Sequence, residues 1–294
     1  MHHSFQVRGA SDSTSTDDVF FRFFIRTGAA LILFQFACGW LRTAAAADAI
    51  FAGHKAIGGE TLDLTFPVPK YFQDYAVEGG NPRPETGRAV LMLPPGFDPA
   101  RPWPILVITS TTDGRRTSPM DAPWYRAPAL AEGWIVFASD ATIRPREDST
   151  VWRLALLGAA LNLLHHEWPL STKWPVAFAG LSGGAKRSGW IGAMLASTHT
   201  VNIRGFFLTG INDDRLSIAC KTYPPSADFL KVPIWISSGS NDPIARPRDQ
   251  EAVQASLEHT GFQRVHLSHF LGGHELDRSE VRRALKWFRE LGKF

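Results

Sequence analysis

An apolar run of strand length, Trp174-Pro175-Val176-Ala177-Phe178-Ala179, passes without a spacer into Gly180-Leu181-Ser182-Gly183-Gly184. A stretch with helical spacing, Ala185 to Leu195, follows at once. A strand that reverses into a helix around one serine needs a very tight turn. The serine must then adopt a strained backbone, and the residues two before and two after it must be small enough to clear the neighbouring strand and helix. Few architectures accept such a reversal. It suits a chain of alternating strands and helices wound on a shared sheet.

The rest of the chain follows that alternation. Leu62 to Val68 and Arg88 to Leu93 read as two early strands, followed by a turn-rich link from Pro94 to Pro104. Pro104 to Thr109 and Trp134 to Ser139 are continuous apolar runs, as expected of strands buried on both faces. A helix is expected over Ser149 to Glu167, where Ala155, Leu156, Ala159, Leu163 and Leu164 give it an apolar face. Further strands are expected at Ile203 to Thr209, Val232 to Ser237 and Arg264 to Ser268. A helix from about Arg248 to His259 lies before the last of these, and an amphipathic helix through Val281 to Phe288 closes the chain. The order predicts an α/β fold with a mostly parallel central sheet and helices on both faces. The short connection between the Leu208 and Trp235 strands leaves no room for a sizeable lid.

Three residues with complementary chemistry fall at carboxyl ends of predicted strands, where open α/β sheets gather their ligands. Ser182 stands in a G-x-S-x-G turn between strand and helix, the setting of a nucleophile elbow. Asp242 ends Gly239-Ser240-Asn241-Asp242, and His274 ends Gly272-Gly273-His274. With these motifs in this order, Leu62 to Phe294 resembles the α/β-hydrolase superfamily, and within it the secreted esterase and polyester-depolymerase-like branch.

The resemblance implies a serine hydrolase that cleaves carboxylic esters through an acyl-enzyme. Ser182 would be the nucleophile, His274 its base, and Asp242 the acid that orients the imidazole. The alternatives are an amidase or peptidase with the same triad, or a non-catalytic binding protein of the same fold. Asp213 and Asp214 are rival acids, with Asp214 the alternative carried forward, and His269 is the rival base. His165 and His166 sit beside Trp168 and read as structural.

An oxyanion hole needs two donors, of which the backbone N–H of Gly183 is one. The second comes from Ser110-Thr111-Thr112-Asp113-Gly114, which lacks the family's usual His-Gly. Thr111 is the choice here, with Ser110 or Thr112 next. Trp124-Tyr125 reads as packing between loop and sheet rather than as a binding surface. Lys186 and Arg187 read as solvated helix positions rather than an anion lure. No spacing suits a metal and no loop suits a phosphate, so no cofactor is expected.

Composition narrows the setting. A net charge of +3 on 294 residues, without a basic stripe, argues against a nucleic-acid partner. Residues 1–49 read as a polar leader followed by an export signal, and 50–294 as the catalytic domain. Arg22 and Arg26 precede the short apolar run Ala29 to Ala37, and small residues at Ala44 to Ala49 supply cleavage sites near Ala47 to Ala49. Other readings are an uncleaved N-terminal anchor and lipidation at Cys38. The expected location is secreted or periplasmic, without stable membrane insertion after cleavage. Cleavage leaves only Cys220, which excludes an intramolecular disulfide. The expected partner is a small or polymeric ester.

Overall fold

The structure, a computed structural model, describes residues 49–111, 116–142, 145 and 149–294. The expected leader lies outside these residues but for Ala49, as do its cleavage site and Cys38.

A small hairpin of β1 (Ile50–Phe51) and β2 (His54–Lys55) precedes an eight-stranded sheet. The sheet strands are β3 (Thr61–Pro67), β4 (Thr86–Met92), β5 (Ile105–Ile108), β6 (Ile135–Ala141), β7 (Val176–Leu181), β8 (Ile203–Thr209), β9 (Ile234–Gly239) and β10 (Val265–Phe270). They lie in the order β10-β9-β8-β7-β5-β6-β4-β3. β3 and β4 run antiparallel at one edge, while β5 through β10 are parallel. Each expected strand is present, shifted by at most a few residues. The helices are α1 (Lys70–Glu78), α2 (Ser118–Ala131), α3 (Thr150–Glu167), α4 (Gly183–Thr198), α5 (Arg215–Thr222), α6 (Pro247–Thr260) and α7 (Arg278–Gly292).

Strand pleating sorts the core into two faces. Leu106 and Ile108 of β5 and Ala177 and Ala179 of β7 point to one face, where Ala122, Tyr125 and Ala129 of α2 meet Val281, Leu285 and Phe288 of α7. On the other face α4 lies against β7 and β8, with Gly192 set so closely on Phe206 that a Cβ there would come within 2.3 Å of the ring. The segment between β8 and β9 holds only α5, eight residues long, and one 3₁₀ turn, Phe229–Lys231. Among the described residues no helix is long and apolar enough to cross a membrane.

α3 differs from its expected single apolar face. Every residue from Trp152 to Leu161 is buried, because α1, α4 and β6 enclose the helix. One of those residues is Arg153.

At the carboxyl end of α3 the His165 ring is largely buried, with Nδ1 2.8 Å from Ser171 Oγ. Burial pushes its pKa down to about 4 from the ordinary 6.5. Below pH 6.5 the unfolded chain takes up a proton that the native state refuses. The stability linked to this group is therefore complete above pH 6.5 and is lost as pH falls toward about 4, by about 3 kcal/mol. Thermal unfolding across that interval should show a smaller loss of Tm for His165→Gln than for the wild type.

Candidate active site

Close approach shapes the elbow. Ser182 has φ 58° and ψ −121°, a conformation that costs a non-glycine residue roughly 1–3 kcal/mol. The cost is sustained by the elements on either side. β7 is buried in mid-sheet, and α4 buries Ile191 and Leu195, each worth about 1.5–3 kcal/mol. A Cβ on Gly180 would lie 2.2 Å from the Gly184 carbonyl carbon, and one on Gly184 would lie 2.3 Å from Thr109 O. The small flanking residues are therefore a steric requirement of this turn. The Ser182 N–H donates to Thr209 O at 2.9 Å, pinning the elbow to the end of β8. Gly183 opens α4, so its N–H belongs to the first helical turn and has no intrahelical acceptor.

Two further loops converge on the same end of the sheet. Asp242 follows β9 and is 3% exposed. Its Oδ1 accepts the N–H groups of Ile244 and Ala245, both at 2.8 Å. Its Oδ2 lies 2.8 Å from His274 Nδ1. A carboxylate oxygen only accepts, so His274 donates through Nδ1–H and carries its acceptor lone pair on Nε2. The loop bearing His274 is tied to the loop bearing Asp242. Ser240 N donates to Phe270 O, and Asn241 N to Gly272 O, each at 2.9 Å. Gly239 makes this crossing possible, because a Cβ there would lie 2.2 Å from Gly273 O. Gly210, at φ +57°, leaves room beneath the imidazole, whose Cε1 would stand 3.0 Å from a Cβ at that position.

Ser182, His274 and Thr111 line one cavity of about 530 Å³. Trp124, Leu181, Ile244 and Leu276 give it an apolar side, and Arg116, Asp121, Glu275 and Arg278 give it charge. The Arg116 guanidinium stacks 4.3 Å from the Trp124 ring centre and donates to Asp121 Oδ1 at 3.0 Å. Burial raises the Asp121 pKa, and the bond to Arg116 opposes that shift. Among the described residues no hydrogen bond joins the Ser182 hydroxyl to His274. Contacts of this kind tighten when a substrate binds. A second concavity, of about 510 Å³, lies at the opposite, amino-terminal ends of β8 and β9 and holds no comparable grouping.

No protein-family model matches the chain, and no curated protein matches it. Solved structures do. An α/β serine hydrolase without lid from Xanthomonas campestris is similar at a TM-score of 0.54 and 16% identity, over 81% of this chain and 97% of that one. The fold is that of the α/β hydrolases. A thermostable esterase from Pseudomonas putida is similar at 0.52 and 13% identity, over 79% of this chain and 81% of its own. An α/β serine hydrolase homologue from Coxiella burnetii is similar at 0.50 and 16% identity, over 81% of this chain and 99% of its own. At these identities the likeness is one of fold.

Within this α/β-hydrolase fold the rival residues take other positions. Asp214 caps α5, its Oδ1 accepting Ser217 N at 2.9 Å, and Asp213 pairs with Arg215. Neither reaches His274. His269 is exposed on the edge strand β10, and His166 is exposed on α3. Ser110 is wholly buried, Thr111 stands over Gly183, and Thr112 lies outside the described residues. Tyr125 packs edge-on against Phe207 in the core. Trp124 packs against that core and also lines the cavity, so the expected packing holds for both and Trp124 faces the site as well. Lys186 and Arg187 were expected as solvated helix positions. Both are half-buried in a groove of about 420 Å³ beside Gly183, and Arg187 donates to Ser110 O at 2.7 Å. Cys220 is a buried free thiol whose pKa burial raises to about 11. No three His, Cys, Asp or Glu among the described residues are grouped so as to hold a metal ion.

Arg153 escaped the sequence reading. It is 7% exposed in a helix whose only other Asp, Glu, Lys or Arg is the terminal Glu167, and it donates to Ser110 O and Oγ, Thr111 O and Arg116 O. The signal was present: an arginine between Trp152 and Leu154 in an apolar run is buried only when its donors are met.

Proposed function

We propose that the chain is a serine hydrolase cleaving carboxylic esters through an acyl-enzyme, with Ser182 as nucleophile, His274 as general base and acid, and Asp242 as its orienting acid. The observation that carries the reading is the 2.8 Å bond from His274 to a buried Asp242, in the cavity that also holds the strained Ser182. Asp242 keeps the proton on Nδ1, so Nε2 is the basic nitrogen.

As Ser182 Oγ bonds to the ester carbon, its proton passes to His274 Nε2. Negative charge develops on the former carbonyl oxygen, where the N–H groups of Gly183 and Thr111 stabilise it. The bond to the alcohol oxygen then breaks, and that oxygen takes the proton from Nε2. Water attacks the acyl carbon and gives its proton to Nε2. The carbon–Oγ bond breaks, the acid leaves and Ser182 regains its proton. Each step uses groups of this chain, the ester and water alone.

The apolar side formed by Trp124, Ile244 and Leu276 suits an acyl or aryl group of modest size. The short segment between β8 and β9 suits a soluble or extended ester, including the polymeric esters that the sequence resemblance implies. The test is a panel of short-chain p-nitrophenyl esters beside the matching p-nitroanilides. Turnover of the esters at much the higher kcat/KM is expected. Preference for the anilides would make the chain an amidase, and turnover of neither would leave a binding protein.

A further inference from the structure

The loop that supplies the second oxyanion donor lacks the family's His-Gly, yet its backbone is held by two cations from two helices. The Ser110 carbonyl accepts from Arg187 Nη1 of α4 at 2.7 Å and from Arg153 Nη1 of α3 at 3.4 Å. Arg153 also donates to Ser110 Oγ, to Thr111 O at 3.2 Å and to Arg116 O at 3.0 Å. In a planar trans peptide the C=O of one residue and the N–H of the next point in opposite directions. Pulling the Ser110 carbonyl toward two guanidinium groups therefore turns the Thr111 N–H away from them. Thr111 lines the cavity of Ser182, and its Oγ1 would stand 2.5 Å from a Cβ placed on Gly183.

We infer that Arg187 and Arg153 are positioning residues that set the Thr111 N–H as the second oxyanion donor, replacing whatever a His-Gly loop provides elsewhere. The inference rests on the ester-hydrolase reading and deepens it. Hydrogen bonds from charged donors are about twice as strong as neutral ones, so two of them hold a loop that an exposed turn alone leaves loose. The two arginines differ in what they bear. Arg153 is enclosed and ties three residues, so its loss threatens the fold as well as the loop. Arg187 reaches Ser110 from a solvent-connected groove that also presents Lys186, Trp190 and Arg215. Arg187 is therefore the residue to change.

A misaimed donor costs rate in the transition state and little in ground-state binding. Loss of one donor is worth about 10²–10³-fold in kcat. Loosening it through Arg187→Ala should lower ester kcat about tenfold to a hundredfold, with KM within about twofold of wild type. Affinity for a boronic acid that forms a tetrahedral adduct at the serine should fall in the same proportion. Arg187→Lys, which keeps a charged donor, should recover part of the loss. Added guanidinium should raise turnover of Arg187→Ala through the vacated groove, and added ammonium should raise it less. Lys186→Ala removes the same charge from the same groove and should leave kcat near wild type.

An active wild type with unchanged kcat in Arg187→Ala overturns the inference and leaves the ester-hydrolase reading intact. Equal losses in Arg187→Ala and Lys186→Ala also overturn it, because general positive charge then accounts for the effect. A rise in KM with kcat and boronate affinity unchanged points to substrate binding and overturns it as well. A wild type that turns over no ester overturns the functional reading and this inference together.

Discussion

Ser182→Ala lowers kcat on a p-nitrophenyl ester by about 10⁴–10⁶-fold, while thermal unfolding stays within a few degrees of wild type. The magnitude follows from removing a covalent step. Without Oγ no acyl-enzyme forms, and only the oxyanion donors and substrate binding continue to lower the barrier. The fold tolerates the change because the strain at this position belongs to the backbone. The turn is held by the Ser182 N–H on Thr209 O and by the clearances at Gly180 and Gly184, none of which uses the hydroxyl. Stopped-assay kinetics beside a melting curve separate lost chemistry from lost structure. A variant that retains turnover removes Ser182 from the mechanism.

Asp242→Asn produces the second largest effect, a loss of about 10⁴-fold in kcat at near-native stability. The Ile244 and Ala245 N–H groups both need an acceptor, so the asparagine Oδ1 stays with them and its Nδ2 faces His274. An amide NH₂ is a donor, so Nδ1 of the imidazole must accept, and the ring proton moves to Nε2. The imidazole is then the wrong tautomer to take a proton from Ser182. Asp214→Asn keeps an oxygen for the Ser217 N–H and lies away from His274, so its turnover should stay near wild type. Kinetics on the two variants distinguish the acids directly. Equal turnover in Asp242→Asn and wild type, or a large loss in Asp214→Asn, would reverse the assignment.

What was legible in the sequence depended on how strongly local physics acted. The parallel strands β5 to β9 are short, largely apolar runs between turn residues, and their length and flanking residues favour a buried strand over a buried helix. The elbow was legible because its glycines answer to contacts of under 3 Å with backbone atoms. α2 was not legible. It carries Pro123 and Pro128 inside the helix, and propensity argues against them, but packing of Ala122, Tyr125 and Ala129 on the sheet outweighs that cost. α1 and α5, of nine and eight residues, are too short for their periodicity to stand out. The site was legible in its order of motifs, but its wiring was not. Motif order singles out Asp242 over Asp214, but the contact with His274 is held by the Ser240–Phe270 and Asn241–Gly272 bonds between loops, which no short-range pattern reports. The anchoring of Ser110 and Thr111 by Arg153 and Arg187 depends on two helices distant in sequence, and no local pattern reports that.

The central claim is that Ser182 is an activated nucleophile at the end of β7. A fluorophosphonate probe followed by peptide mapping tests it most directly, since the probe bonds only to a serine whose proton is taken by a base. The account predicts a single adduct on the peptide carrying Gly180-Leu181-Ser182-Gly183-Gly184, abolished by Ser182→Ala and strongly slowed by Asp242→Asn. An adduct on another residue, or labelling that persists in Ser182→Ala, would contradict it.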